Sequence, residues 1–295
     1  MLHATDALEM PDGPPLFTRA WSPELDEVRA EVLLVHGIGE HTGRYAHVAA
    51  HLMMHGVRIL AYDQRGHGES PGDRAYVEDF DALVRDLHHV RAHLPSLRAT
   101  VAGLGTSAAD DRGSAPPLFL LGHSLGGLVV ARYVTDHGSD GLAGVVLSSP
   151  ALRTDVAPLL QKVAGTVARF APRLPTVKLD LKGLSRDPRV VRNYEEDPLT
   201  HTGTGVRART GHETIEAMKR VEAGAFRVPL YVFHGTADRI TSPDGSQDFV
   251  KAVQARIPDA DATLRLYDGL FHETMNEPEK QNVLDDLTEW LGDRL

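Results

Sequence analysis

Cysteine is absent from the 295 residues, and that one gap removes disulfide frameworks, thiol nucleophiles and thiolate metal sites together. Redox compartment therefore leaves no mark on the chain. No apolar run approaches the roughly 20 residues that a membrane span needs, and Met1 to Gly13 has neither the basic nor the apolar stretch of a secretory leader. The expectation is a cytoplasmic protein, at most peripheral at membranes. Lys/Arg-rich blocks are missing as well and the formal net charge is -10, so attraction to phosphate backbones cannot be the main business of the surface. Nucleic acid drops out as a partner. What remains is an ordinary globular balance, 42% hydrophobic and 24% charged, which fits neither a disordered nor a fibrous chain.

Short β-rich apolar runs recur at Val32 to Val35, Val57 to Tyr62, Leu118 to Leu121, Val145 to Leu147 and Val228 to Phe233. Such unbroken runs predict strands buried on both faces. Helical patterns over Arg44 to His55, Asp79 to Leu94 and Leu125 to Asp136 lie between them, the alternation of a mostly parallel central sheet flanked by helices. A last strand is expected over 262–267 and a last amphipathic helix from Gln281, with Val283, Leu284, Leu287, Trp290 and Leu291 on one side. Two stretches interrupt the rhythm. Residues 103–117 are rich in Gly, Ser, Ala, Asp and Pro and predict a surface loop. From about 151 to 224 strand signals stop and prolines separate helical pieces, which predicts a helical cap inserted into a core domain of 1–150 and 225–295. Within it Leu160, Val163, Ala164, Val167 and Phe170 follow helical spacing, so the piece can lay an apolar face on the core or act as a mobile lid.

The run Leu118-Phe-Leu-Leu-Gly-His-Ser-Leu-Gly-Gly127 sets G-x-S-x-G between a predicted strand and a predicted helix. A serine on so sharp a turn needs neighbours without side chains two positions to either side, and Gly122 and Gly126 supply them. Ser124 is therefore the candidate nucleophile. The helix that follows points its first N–H groups at the place where an oxyanion would form, with Leu125 N–H the natural first donor. A second donor is expected from the loop after the first buried strand, where Ile38 follows His36-Gly37. Neither G-x-G-x-x-G nor a Walker sequence is completed there, so the loop is not read as a phosphate cradle.

Serine needs a base, and the base needs a carboxylate to fix its tautomer. In the strand-turn-helix architecture that G-x-S-x-G implies, the acid and then the histidine follow the serine, each on a loop after a strand. Asp238 and His272 satisfy that order. Asp244, Asp259 and Asp261 are rival acids that lie within or beyond the next helix. Among 16 histidines, His272 alone follows the final strand. His47, His51 and His55 share a helical face, but without an acidic partner or H-E-x-x-H a solvated face is the better reading than a metal site. No metal and no organic cofactor is expected.

Several stretches taken jointly resemble the monoacylglycerol lipase family: His36-Gly-Ile-Gly-Glu-His-Thr-Gly-Arg-Tyr45, Tyr62-Asp-Gln-Arg-Gly-His-Gly-Glu-Ser70, Gly122-His-Ser-Leu-Gly126 and His234-Gly-Thr-Ala-Asp238. In the cap the likeness rests on Asn193-Tyr-Glu-Glu-Asp-Pro-Leu199. The resemblance implies the α/β-hydrolase fold, Ser124, Asp238 and His272 as triad, and Ile38 and Leu125 as oxyanion donors. It also implies an apolar acyl tunnel beneath the cap and glycerol-side contacts from Glu40, Arg44 and Tyr194. Glu40 and Arg44 read equally well as an ion pair bracing the oxyanion loop. The chain departs from the animal members at Met275, where they carry a second histidine, in the insertion at 103–117, and in the missing cap cysteines. The expected function is acyl-enzyme hydrolysis of carboxylic esters, monoacylglycerols first, releasing fatty acid and glycerol, with transient contact between the cap and a lipid surface. Lysophospholipase, broad carboxylesterase or acyltransferase activity shares the chemistry. A non-catalytic binding protein on the same scaffold is the reading from another class.

Overall fold

A computed structural model describes residues 2–23, 28–102, 115–154, 156–178, 180–201 and 205–295. The chain opens with an antiparallel hairpin, β1 (Leu2–Leu8) and β2 (Leu16–Ser22), then forms β3 (Ala30–Val35), α1 (Ala46–Met53) and β4 (Val57–Tyr62). Helices α2 (Phe80–Ala92) and α3 (Leu94–Ala102) lead to β5 (Leu118–His123), α4 (Leu125–His137) and β6 (Gly144–Ser148). A long excursion follows: α5 (Pro158–Phe170), β7 (Pro175–Val177), α6 (Pro188–Glu196), β8 (Val206–Arg207) and α7 (Ala208–Lys219). The chain then returns through β9 (Leu230–Gly235), α8 (Pro243–Arg256), β10 (Ala262–Tyr267) and α9 (Lys280–Gly292).

The large sheet has the order β1-β2-β4-β3-β5-β6-β9-β10, parallel from β4 to β10. Period-two alternation divides the apolar runs between its faces. Leu33 and Val35 pack with Leu128 and Val129 of α4 on one side, whereas Val32 and Leu34 pack with Leu52 of α1 and Leu287 of α9 on the other. Cover on both faces is the reason these strands carry no polar alternation. The predicted last helix buries all five of its expected residues, Val283, Leu284, Leu287, Trp290 and Leu291.

Three features differ from the sequence expectations. The hairpin β1–β2 extends the sheet at one edge, with Thr18 opposite Tyr62; its outer strand is largely exposed and polar, so it lacks the apolar signature by which the inner strands were found. The helix expected from Arg44 starts as a tight turn over Thr42–Tyr45 and becomes α-helical only at Ala46. The excursion between β6 and β9 is not free of strands, because β7 and β8 form a small antiparallel ribbon. Of the interrupting loop at 103–117, residues 103–114 lie outside the described residues, and Pro117 accepts the N–H of Glu31 at 2.9 Å.

Chain order reverses around β3, with β4 on one side of it and β5 on the other. The carboxyl ends of strands flanking such a reversal open a crevice, which is where open α/β sheets bind ligands. The His36–Glu40 loop leaves β3 there and Ser124 leaves β5 there.

Candidate active site

Ser124 sits between β5 and α4 with φ 54° and ψ -118°, a left-handed backbone that side chains seldom tolerate. Its N–H donates to Ser148 O at 3.0 Å, and its own carbonyl accepts from Leu128 N–H at 3.2 Å and Ala151 N–H at 3.1 Å. These bonds hold the strained turn in place. The flanking glycines are required by close approach: a Cβ on Gly122 would run into the Gly126 carbonyl, and one on Gly126 into the carbonyl oxygens of Val35 and His36. The motif therefore joins the turn of β5 to the end of β3 as well as exposing a hydroxyl.

In the loop after β3, Gly37 N–H is taken by Glu40 Oε1 at 2.7 Å. Ile38 supplies the next N–H of that loop, and it lines the same cavity as Ser124. Leu125 opens α4, where the first N–H groups of a helix have no intrahelical acceptor. Ile38 and Leu125 thus line the cavity that Ser124 opens on.

Asp238 follows β9 and His272 follows β10, and the two meet, Nδ1 to Oδ2 at 2.7 Å. Asp238 Oδ1 accepts from the N–H groups of Ile240 at 2.7 Å and Thr241 at 3.1 Å. Burial works to raise the Asp238 pKa, but the imidazoles of His272 and His234 outweigh it and hold the carboxyl far below its usual range. For His272 burial works downward, and Asp238, with Glu273 and Glu40 behind it, more than offsets this, so its pKa lies above the ordinary value. His272 and Ser124 line one cavity. The rival acids are elsewhere: Asp244 is an exposed first-turn residue of α8, Asp259 is exposed, and Asp261 pairs with Arg294 at 2.6 Å.

Glu40 and Arg44 belong to a larger buried cluster that includes one residue not anticipated from sequence. Arg44 binds Glu40 Oε2 at 2.6 Å and sets both guanidinium ends on Glu273, at 2.7 and 2.8 Å. Glu40 also accepts from Tyr45 Oη at 2.7 Å. Burial raises the Glu40 pKa, but Arg44 and then His123 overcome it and the value falls to about 2. Glu40, Glu273 and Tyr194 line the small cavity beside Ser124, whereas Arg44 lies behind them with its guanidinium 4.8 Å from the Tyr194 ring. The geometry carries the bracing role of Glu40 and Arg44 directly. Glu273 adjoins His272 in sequence, but only tertiary packing brings it to Arg44.

Met275 is buried in the core, and its carbonyl accepts from His47 Nε2 at 2.8 Å. His51 is within 3.1 Å of Thr288 Oγ1, and His55 Nδ1 donates to His51 O at 3.0 Å. Among the described residues no group of three or more His, Cys, Asp or Glu is arranged to hold a metal.

The segment between β6 and β9 roofs this crevice and is tied to it. Tyr194 Oη and His201 N–H both donate to Gly39 O, at 2.7 and 2.8 Å. Glu273 N–H donates to Leu184 O at 2.8 Å, and Val77 N–H to Thr210 Oγ1 at 2.9 Å. The predicted apolar stripe on α5 is only partly covered: Val163 is 52% and Phe170 78% exposed, while Ala164 and Val167 are half-buried. The Leu160 side chain lies outside the described residues.

Beneath this roof the space has two compartments that meet at Ser124. One is a cavity of about 650 Å³ walled by Leu125 and Ala151 of the core and by Val177, Val206, Ile215 and Met218 of the roof. The other holds about 30 Å³ and is bounded by the carboxylates of Glu40 and Glu273, by His123 and Tyr194, and by the apolar side chains of Leu181 and Leu184. His123 is neutral there, burial and then His272 pushing its pKa down to about 4.

The family model "Serine aminopeptidase, S33" matches residues 26–279. A protein named monoacylglycerol lipase from Mycolicibacterium smegmatis is 37% identical over 93% of this chain and 92% of its own length. The human protein named monoglyceride lipase is 32% identical, over 96% of this chain and 89% of its own. A crystal structure of a soluble variant of the Saccharomyces cerevisiae monoglyceride lipase, in complex with a substrate analog, superposes with a TM-score of 0.81 at 28% identity, covering 100% of this chain and 96% of that one. On fold, site geometry and likeness over nearly its whole length, the chain belongs to the monoacylglycerol lipase family of serine ester hydrolases with the α/β-hydrolase fold.

Proposed function

We propose that the chain hydrolyses monoacylglycerols through an acyl-enzyme on Ser124, with His272 as base and Asp238 as its carboxylate partner. The observation that carries this reading is the division of the space at Ser124 into a large, mostly apolar compartment and a small one whose wall sets the carboxylates of Glu40 and Glu273 among Leu181, Leu184 and Ile240. Ser124 Oγ attacks the ester carbonyl while His272 Nε2 takes its proton. The carbonyl oxygen, now anionic, is met by the N–H groups of Ile38 and Leu125. As the tetrahedral adduct collapses, His272 returns the proton to the leaving alcohol. Water, deprotonated by the same imidazole, then attacks the acyl-Ser124 ester and releases the fatty acid. The cap spans 151–224 and lies over both compartments.

The acyl chain belongs in the larger compartment and the alcohol in the smaller. The smaller compartment, at about 30 Å³, admits only the first groups of the alcohol. Two buried carboxylates, Glu40 and Glu273, face one guanidinium, Arg44, so the alcohol side carries net negative charge. A phosphate-bearing alcohol is opposed by sign. This favours glycerol over lysophospholipid headgroups. Monoacylglycerol should therefore exceed lysophosphatidylcholine of the same acyl chain by about 100-fold or more in kcat/KM; equal rates would transfer the assignment to a lysophospholipase or a broad esterase.

His272 must be neutral to act as base, and its pKa lies above the ordinary value. Activity is therefore lost as pH falls through that raised value, and the acid limb of kcat/KM should have its midpoint above about 6.5. A midpoint clearly below 6, read from hydrolysis of a soluble p-nitrophenyl ester, would contradict the pairing with Asp238.

Access to acyl esters in aggregates is assigned to the outer end of the cap. Val156, Val163, Phe170, Leu174 and Val177 expose between 41% and 78% of their surface there, a patch suited to transient contact with lipid. Among the described residues no helix is long and apolar enough to cross a membrane, and a cytoplasmic, peripherally associating protein is the setting proposed.

A further inference from the structure

Asp238 holds two imidazoles on one oxygen. His234, the fifth residue of β9, is completely buried, and its Nε2 lies 2.9 Å from Asp238 Oδ2, the atom that also receives His272 Nδ1 at 2.7 Å. On its far side His234 Nδ1 is 2.8 Å from Ser246 Oγ, itself buried on α8. The tautomer follows from what each partner can accept. An ionised carboxylate offers no proton, so His234 Nε2 must carry the hydrogen, and in the neutral ring Nδ1 is left to accept from the Ser246 hydroxyl. Thr241 Oγ1 sits among these groups, 2.9 Å from Asp238 Oδ2 and 3.2 Å from His272 Nδ1, but its single hydrogen has the Ser149 carbonyl as a second acceptor at 3.1 Å. His234 is therefore a ring-held donor on Oδ2, beside a Thr241 hydroxyl that can turn to either acceptor.

We propose that His234 is a positioning residue of the triad, taking through Nε2–H a share of the Asp238 charge and pinning the carboxylate toward His272. This rests on the reading of Asp238 and His272 as acid and base. Its physical content is a competition: hydrogen bonds donated to an anion reduce what that anion offers to any one neighbour. Each further donor on Oδ2, His234 Nε2–H and the Thr241 hydroxyl, both at 2.9 Å, makes Asp238 a weaker stabiliser of the His272 imidazolium than an undivided carboxylate would be. The base is kept closer to neutrality at working pH while the acid is prevented from turning away. The other charged and titratable groups facing His272 are Glu273, Glu40, Arg44 and His123, and Thr241 Oγ1 lies between the two rings, 3.3 Å from His234 Nε2 and 3.2 Å from His272 Nδ1, so a shift at His272 reports on the hydrogen bonds around Asp238 Oδ2.

The test compares His234→Leu, which removes the donor, with His234→Gln, whose amide can place an N–H near the same point. The readout is kcat and KM across pH on p-nitrophenyl butyrate, a substrate that needs no glycerol recognition. For His234→Leu the acid-limb midpoint should rise by about 0.5 pH unit or more, with kcat at the plateau down about tenfold and KM within about twofold. His234→Gln should return both toward wild type. An unmoved midpoint in His234→Leu, whatever its activity, overturns the proposal and leaves His234 as packing between β9 and α8. A wild-type enzyme that does not hydrolyse the ester, or shows no acid limb, refutes the triad reading instead. Should His234→Leu not fold, histidine nitrogen spectra of the wild-type protein decide: an Nε2–H tautomer at His234, with an exchange-protected proton on that nitrogen, is required, and an Nδ1–H tautomer overturns the proposal.

Discussion

Ser124→Ala lowers kcat by about 10⁵- to 10⁶-fold and leaves a folded protein. Alanine keeps the Cβ and the turn's backbone bonds to Ser148, Leu128 and Ala151, and it accepts the positive φ of 54° about as poorly as serine does. The change should therefore cost stability less than about 1 kcal/mol. What it removes is the hydroxyl that shares cavities with Ile38, Leu125 and His272. Turnover by the variant, measured with enzyme free of wild type, and labelling of wild-type Ser124 by a fluorophosphonate check the same claim from two sides. Near-normal turnover, or a folded wild-type protein that the fluorophosphonate leaves unlabelled, would mean that the scaffold binds without catalysing in this way.

Arg44→Met should be the most destabilising exposed-to-solvent-free charge deletion at this site, at about 3–5 kcal/mol near neutral pH. Methionine fills much of the arginine stem's volume but leaves Glu40 and Glu273 buried, ionised and facing each other. The sign of the pH dependence follows from the same cluster. In the wild type Glu40 is held at about 2, so its contribution is present above the unfolded carboxyl value of about 4.3 and is lost as pH falls toward the folded value. In the variant the counter-ion is gone and burial drives both carboxyls upward, so protonation relieves the repulsion as the solution is acidified. The gap between variant and wild type should therefore narrow from about pH 7 to about pH 4. Urea unfolding at several pH values measures it. A loss that stays constant with pH, or stays under about 1 kcal/mol, would mean that the three charges are solvated and not a buried cluster.

These two predictions draw on different kinds of information. Ser124 was legible because its requirements are local: glycines where a Cβ would meet the backbone, an apolar strand before, a helix after. Asp238 and His272 were legible because strand order limits where such partners can stand. Glu273, His234, Thr241 and Tyr45 carry no such signal. Glu273 lies 229 positions from Arg44, and nothing in either neighbourhood marks them as a pair. The hairpin β1–β2 escaped for a related reason, since an edge strand with a wet outer face has no unbroken apolar run.

The residues taken alone determined the parallel core and marked Ser124 as the candidate nucleophile, because burial on both faces and a tight strand-to-helix turn write themselves into short stretches of sequence. Tertiary structure decided what surrounds that serine: which carboxylates share Arg44, that Asp238 serves two imidazoles, that Met275 is core, and that the space divides into a large compartment and a small one walled in part by two carboxylates. Charge balance and cavity shape are sums over residues far apart in the chain. Only folding brings those terms together.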